Sequence, residues 1–150
     1  MKEMKANYIS NFEEWASGFK YSHSITVRFS EIDMYGILNN TIAFSYFEHA
    51  RIEYLKHIGL MSEWVDSSSE TAPVIADAQC DYHKPILYGD VIELYVKANS
   101  VGSSSVDIHY LGKNQKDEIV FTGRGTMVQM DKKTGRGFPW SDKEKSLFVV

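Results

Sequence analysis

The main candidate for chemistry in this chain is a carboxylate between a predicted strand and a predicted helix. Asp33 ends a β-type run, and the loop that follows contains Gly36 and two adjacent asparagines before a long helical pattern begins. The free N–H groups of a helix N-terminus carry roughly half a positive elementary charge. A carboxylate beside such donors can attack a carbonyl or activate water while the donors hold the oxyanion. The spacing therefore indicates Asp33 as a candidate nucleophile or general base.

Hydrophobic periodicity predicts the helices that surround this loop. The long helix ends at Gly59, which suits a position of positive φ, and Asn39 or Asn40 is expected to cap its start. One apolar face combines six residues at helical spacing: Ala43, Phe47, Ala50, Tyr54, Leu55 and Ile58. A second amphipathic pattern predicts an N-terminal helix over residues 3–17 that Gly18 ends, and Ser141 is expected to cap a short last helix.

Alternating or β-rich runs predict the strands at residues 23–29, 74–83, 91–100, 105–112 and 118–131. One long helix between the first strand and the other four predicts an α+β fold, in which an antiparallel sheet wraps around the helix. We expect residues 1–150 to form one domain with an N-terminal helical extension over about residues 1–20. Such a sheet leaves an edge strand open for a partner chain, so a dimer or a dimer of dimers is expected.

Composition disfavours several functional classes. A hydrophobic content of 43% argues against disorder, and a net charge of −4 offers no basic surface for nucleic acid. Cys80 is the only cysteine and the five histidines are scattered, so neither a disulfide nor a structural metal site nor a cofactor is expected. Glutamates interrupt the N-terminal segment and no apolar run approaches the roughly 20 residues of a membrane span. We therefore expect a soluble cytoplasmic protein without a membrane partner.

Two blocks of this sequence resemble the hotdog-fold acyl-CoA thioesterases, in particular the 4-hydroxybenzoyl-CoA thioesterase-like branch. The first block follows that branch's D-x-x-G loop and E-x-A-R helix at Asp33, Gly36, Leu38, Asn39, Asn40, Tyr46, Phe47, Glu48, Ala50 and Arg51. The second block, Tyr82-His83-Lys84-Pro85 followed by Gly89-Asp90, is similar to the branch's Y-x-x-P…GD turn. The resemblance covers about residues 23–140, and the two blocks together are far more specific than either alone.

The resemblance implies a homo-oligomeric hydrolase of acyl-CoA, with its active site at a dimer interface. Asp33 would be the nucleophile or general base, and the backbone N–H of Asn40 would hold the oxyanion. Expected substrate-binding residues are Gly36, Asn39, Tyr46 and Phe47. Each also has a plainer interpretation: Gly36 as a turn residue, the asparagines as helix caps and the two aromatic residues as core.

This sequence departs from the branch at two positions, and several alternative functions remain open. Many relatives carry histidine where this chain has Ile37, and an aromatic residue where it has Ala43, which would widen a pocket beside the helix start. Glu48, on the helix, is the alternative catalytic carboxylate. A non-catalytic acyl-CoA or acyl-carrier binding module and an acyl-carrier-protein thioesterase are the alternative functions. A hydratase would need a histidine paired with Asp33, and the residues that follow Asp33 supply none before His49.

Overall fold

Five antiparallel strands and one long helix form the framework of the protein. The computed structural model describes residues 6–149. The helices are α1 (Phe12–Ser17), α2 (Ile42–His57) and α3 (Asp142–Leu147), and short 3-10 turns occupy Phe29–Glu31 and Met61–Glu63. The strands are β1 (Tyr21–Thr26), β2 (Thr71–Tyr82), β3 (Val91–Val101), β4 (Ser105–Lys113) and β5 (Ile119–Asp131). The α+β fold and the predicted strand order along the chain are confirmed, with strand ends shifted by a few residues.

The sheet has the order β1-β3-β4-β5-β2, and every neighbouring pair is antiparallel. Consecutive strands β3, β4 and β5 form hairpins, whereas β1 and β2 each join the sheet from an earlier part of the chain. β1 and β2 are therefore the two edges. The loop after β1 therefore begins at one edge of the sheet, and β2 forms the opposite edge. Along the chain, helix α2 lies between that loop and β2.

Helix α2 packs on the inner face of the sheet through its predicted apolar stripe. Phe47 stacks on Tyr110 of β4 at 4.4 Å between ring centroids, and Ala50 is fully buried. Gly123 of β5 lies directly beneath Phe47, where an added Cβ would stand 2.5 Å from the ring. Each large side chain buried in this way stabilises the fold by roughly 1.5–3 kcal/mol. The helix thereby fixes the position of the loop at its N-terminus.

The N-terminal segment crosses the outer face of the same sheet. Trp15 of α1 is buried there and donates a hydrogen bond to His109 of β4 at 2.7 Å. The helix is shorter than the predicted 3–17, because Asn11 caps it by accepting a bond from Glu14 and thereby sets its start. Residues 3–5 of the predicted helix lie outside the described residues. Ser141 caps α3 as predicted, in a capping box with Glu144.

No helix within residues 6–149 combines the length and the apolar composition that a membrane span requires.

Candidate active site

The loop that carries Asp33 is a tight turn held by its own backbone. The Asp33 N–H donates to the Ile37 carbonyl at 2.8 Å, and the Gly36 N–H donates to the Asp33 carbonyl at 3.0 Å. The Oδ1 atom of Asp33 accepts from the N–H groups of Tyr35, at 2.8 Å, and Ile37, at 3.4 Å. Within residues 6–149 no donor reaches the second carboxylate oxygen. One oxygen of Asp33 therefore orients the side chain, and the other remains available for chemistry.

Gly36 lies in a turn of positive φ that borders open space. Its φ of 79° lies in the left-handed region, which glycine adopts without strain. A Cβ added there would meet no atom within 4 Å, so the backbone borders open space. The turn conformation that was predicted and open space beside the backbone thus occur at one residue.

The start of α2 lies one or two residues beyond the position predicted from the asparagine pair, because Thr41 occupies the cap position. The helix begins at Ile42, and the Asn39 side chain accepts from the Thr41 backbone N–H at 3.2 Å and from the Thr41 hydroxyl at 3.1 Å. Asn39 therefore holds the helix entry, while the Asn40 side chain does not cap it. In the described part of the chain, the Asn40 backbone N–H has no protein acceptor. It is a free donor immediately before a helix N-terminus.

The second sequence block packs directly against this loop. The Leu38 N–H donates to the Ile86 carbonyl at 2.7 Å, and the Tyr82 hydroxyl donates to the Asn40 carbonyl at 2.5 Å. A cavity of about 300 Å³ lies between the two blocks. Its lining residues are Ile37, Leu38, Asn40, Tyr82, His83, Lys84, Pro85 and Ile86. Asp33 is not among them, but its backbone is bonded to Ile37, which is.

His83 faces this cavity rather than open solvent. It is half-buried, and its Nε2 atom lies 3.0 Å from the Thr122 hydroxyl. Burial lowers the pKa of His83, although the nearby Asp81 carboxylate acts in the opposite direction. Lys84 forms an ion pair with Glu118 at the cavity rim. His83 is therefore turned partly inward, because the turn after β2 folds back over β5.

Tyr46 supports the loop and does not line the cavity beside Asn40. Its hydroxyl donates to Glu31 at 2.7 Å, and both side chains are buried. Glu31 also accepts from the Arg28 backbone N–H at 2.9 Å and from its guanidinium at 3.3 Å. These bonds lower the pKa of Glu31 although burial, the largest single influence, raises it. Glu31 is therefore a buried, ionised anchor that joins the Asp33 loop to α2.

Phe47 is mainly a core residue, and it also borders a second cavity. This cavity, of about 190 Å³, lies between α2 and the edge strand β2 and is lined in part by Phe44, Phe47, Glu48 and Ile75. Ala43 lies in neither cavity, since it is fully buried in the core. Neither cavity is therefore widened at Ala43 as expected. Arg51 bonds the Tyr110 hydroxyl at 3.1 Å instead of pairing with Glu48.

Three residues that contact the candidate site were not among the predicted site residues: Glu31, Tyr82 and His83. A signal existed for the last two, because the Y-x-x-P…GD turn was recognised as a motif. The contact between this turn and the Asp33 loop depends on the pairing of β2 with β5, and that pairing joins residues far apart in sequence.

Comparison with known proteins agrees with this architecture. The thioesterase-like superfamily model matches residues 27–147. The protein YsmA of Bacillus subtilis strain 168 is 43% identical over 138 residues, covering 92% of this chain and 91% of the relative. The chloroplastic acyl-acyl carrier protein thioesterase ATL3 of Arabidopsis thaliana is 31% identical over 73% of this chain, which spans 57% of that protein.

Solved structures give the same result. A thioesterase from Thermus thermophilus, complexed with coenzyme A and Zn, is 30% identical with a TM-score of 0.72, and the match covers 87% of this chain and 93% of that one. The family model covers most of the chain, and the fold agrees with it. The chain therefore belongs to the thioesterase-like superfamily of hotdog-fold enzymes, and it is a thioester hydrolase.

Proposed function

We propose that the protein hydrolyses acyl-CoA to a carboxylic acid and free CoA, with Asp33 as nucleophile or general base. The observation that carries this proposal is the free Asn40 N–H, which borders a cavity beside the Asp33 loop. A donor without an intramolecular partner at the start of a helix is suited to a developing oxyanion. The relative that was solved with coenzyme A supports CoA as the carrier of the acyl group.

Two routes are compatible with the free oxygen of Asp33. In the first, the carboxylate attacks the thioester carbonyl, the CoA thiolate leaves, and water hydrolyses the resulting anhydride. In the second, the carboxylate takes a proton from water, which attacks directly. Both routes consume one water and release one acid and one CoA, and both develop negative charge on the carbonyl oxygen that the Asn40 N–H would bind.

The open space at Gly36 would admit the thioester carbonyl, and Asn39 would keep the helix entry in position. We assign the acyl group to the cavity between α2 and β2, against the apolar part of its wall that Phe44, Phe47 and Ile75 form. Tyr46 then contributes indirectly, through its bond to Glu31. Each methylene buried in such a cavity favours binding by about 0.8 kcal/mol, so medium, long or aromatic acyl groups should be preferred over acetyl.

We further propose that a second copy of the chain completes the site along β2. This edge strand carries exposed apolar side chains, with Val74 43% and Ile75 37% exposed, and Phe44 of α2 beside it is 41% exposed. An edge of this kind invites strand pairing with another chain. Both cavities border β2, so a partner there would close the cleft that the acyl group enters.

Comparison of two carboxylate variants tests the catalytic assignment. Asp33→Asn should keep the fold and lower kcat by at least about 10²-fold, the usual scale for the loss of an acid–base group. Glu48→Gln is the matched control, because it neutralises the other candidate carboxylate, which is exposed on α2. Released thiol measures turnover in both variants. Normal turnover of Asp33→Asn together with an inactive Glu48→Gln would identify Glu48, on the helix, as the catalytic carboxylate.

A substrate panel separates the remaining alternatives. The ATL3 relative favours acyl carrier protein as a second possible acyl carrier. Thiol release should be measured with acyl-CoA of increasing chain length, with aromatic acyl-CoA and with acyl carrier protein. Thiol release from acyl carrier protein alone would identify that protein, and not CoA, as the carrier of the acyl group. Binding of either substrate without thiol release would identify a non-catalytic module.

A further inference from the structure

Two histidines meet between α2 and the free edge strand β1. His23 lies on β1, on the face turned toward α2, and His49 lies two turns along the helix. Their Nε2 atoms are 3.0 Å apart, and their ring centroids are 4.8 Å apart at an interplanar angle of 65°. The two residues are 26 positions apart in sequence, so only the packing of α2 on β1 brings them together.

The geometry of this pair matches that of two imidazoles on one metal ion. At a metal–nitrogen distance of about 2.0–2.1 Å, two nitrogens stand about 3.0–3.4 Å apart for bite angles between octahedral and tetrahedral. Their ring centroids then stand roughly 4.5–5.2 Å apart, with both nitrogens aimed at one point. Two rings in a straight N–H···N hydrogen bond would have centroids somewhat over about 5 Å apart at this nitrogen spacing. The observed separations, 3.0 Å between the nitrogens and 4.8 Å between the centroids, fall within the range for two imidazoles on one ion.

The surroundings of the pair leave room for an ion and its water. His49 is exposed, and it borders a cavity of about 350 Å³ between β1 and α2. The cation in that cavity, Arg28, is paired with Glu31, which reduces its repulsion of a further positive charge. Glu53, one helical turn beyond His49, is paired with Lys56 at 3.3 Å, so this ion pair adds no net charge beside the site. Within residues 6–149 no cluster of three or more histidine, cysteine or acidic ligands occurs, so water would complete the coordination.

We propose that His23 and His49 bind one divalent cation of the Zn²⁺ class. Neutral imidazole suits Zn²⁺, Cu²⁺ and Ni²⁺, whereas Mg²⁺ and Ca²⁺ prefer oxygen ligands. The ion joins the edge strand β1 to the central helix, and it stabilises the folded state by mass action because the unfolded chain does not bring the two residues together. None of the residues that line the cavity beside Asn40 lies here, so this site does not depend on the proposed catalytic mechanism.

Calorimetric titration of the metal-free protein with Zn²⁺ tests the site, with Mg²⁺ as the comparison ion. The variants are His23→Gln and His49→Gln, and the matched control is His57→Gln, an exposed histidine on the same helix that packs against Tyr21. Far-UV circular dichroism and a thermal melt without metal establish that each variant is folded. Because either histidine variant tests the pair, a folding failure of one leaves the other informative.

We expect about one Zn²⁺ per chain in the wild type and in His57→Gln, with no comparable binding of Mg²⁺. Both His23→Gln and His49→Gln should weaken Zn²⁺ binding by at least about tenfold, because each leaves a single imidazole. The thermal midpoint of the wild type should rise with Zn²⁺ and return with a chelator, and these two variants should lose that rise. Equal Zn²⁺ affinity in all four proteins, or no saturable binding to the wild type, would overturn the proposal.

Discussion

At the scale of single residues, the Tyr82 hydroxyl is the clearest link between the two sequence blocks. It donates to the Asn40 carbonyl, and Tyr82 also lines the cavity that the Asn40 N–H borders. A bond to that carbonyl restrains the peptide unit that follows Asn40, and it thereby limits movement of the backbone beside the proposed donor. Tyr82 is therefore a positioning residue for the proposed oxyanion donor.

Removal of this hydroxyl should impair turnover more than binding. Tyr82→Phe loses one hydrogen bond, whose net worth of about 0.5–1.5 kcal/mol corresponds to a fall in kcat of roughly 2- to 10-fold with KM nearly unchanged. Steady-state thiol release measures both constants. Tyr88→Phe is the control, since Tyr88 is an exposed tyrosine that packs on Phe29 in the same turn region. An unchanged kcat in Tyr82→Phe would remove this residue from the mechanism.

At the scale of elements, the N-terminal segment depends on one protonation state of a buried histidine. His109 accepts from Trp15 at Nδ1, and its Nε2 atom lies 2.8 Å from Asp107. The Trp15 indole can only donate, so His109 must be neutral, with its proton at Nε2. Burial lowers the pKa of His109, as do the charges of Lys97 and Arg124 nearby, while Asp107 raises it.

This arrangement predicts the sign of a pH effect on stability. The pKa of His109 is lowered in the folded state, so the unfolded chain binds the proton first as the pH falls below about 6.5. The contribution of His109 is thus fully present above that value and is lost as the pH falls toward the folded pKa. Urea unfolding at pH 7.5 and pH 5.0, at one protein concentration, measures the loss.

The His109→Gln variant isolates this contribution from those of the carboxylates and of His83. Its free energy of unfolding should fall less between the two pH values than that of the wild type. His57→Gln, which changes an exposed histidine, is the control and should lose as much as the wild type. Identical losses in all three proteins would show that the contact between Trp15 and His109 does not couple to pH.

At the scale of the whole molecule, the open edge at β2 is the proposed site of assembly with a second copy of the chain. A lysine on an edge strand disfavours pairing with another chain. Val74→Lys should therefore shift the protein from dimer toward monomer at micromolar concentration, and it should lower activity together with assembly. Light scattering and thiol release on the same samples measure both properties.

A lysine elsewhere separates assembly from added charge. Val65→Lys changes a valine that is 70% exposed outside the sheet, and it should leave both assembly and activity unchanged. A wild-type protein that is monomeric and fully active would contradict the proposed partner at β2. A fully active Val74→Lys monomer would contradict it equally.

The sequence by itself determined the elements and the central loop. Helix α2 and the five strands follow from periodicity, because burial on one face imposes a repeat of 3.6 or 2 residues along the chain. The D-x-x-G loop was predictable because its interactions are local too. Gly36 has positive φ, and the Asp33 side chain accepts from the N–H groups two and four residues further along. The predicted N-terminal helix was too long. Its amphipathic pattern includes residues before Asn11, but the cap at Asn11 sets the start of the helix.

Only the tertiary structure decided which side chains share a site. Tyr46 and Phe47 are neighbours on α2, yet one turns toward Glu31 and the other toward Tyr110, because adjacent helical residues point about 100° apart. His83 enters the cavity beside Asn40 through the pairing of β2 with β5, and His23 meets His49 through the packing of α2 on β1. Such contacts join residues tens of positions apart, so the periodicity of the local sequence does not predict them.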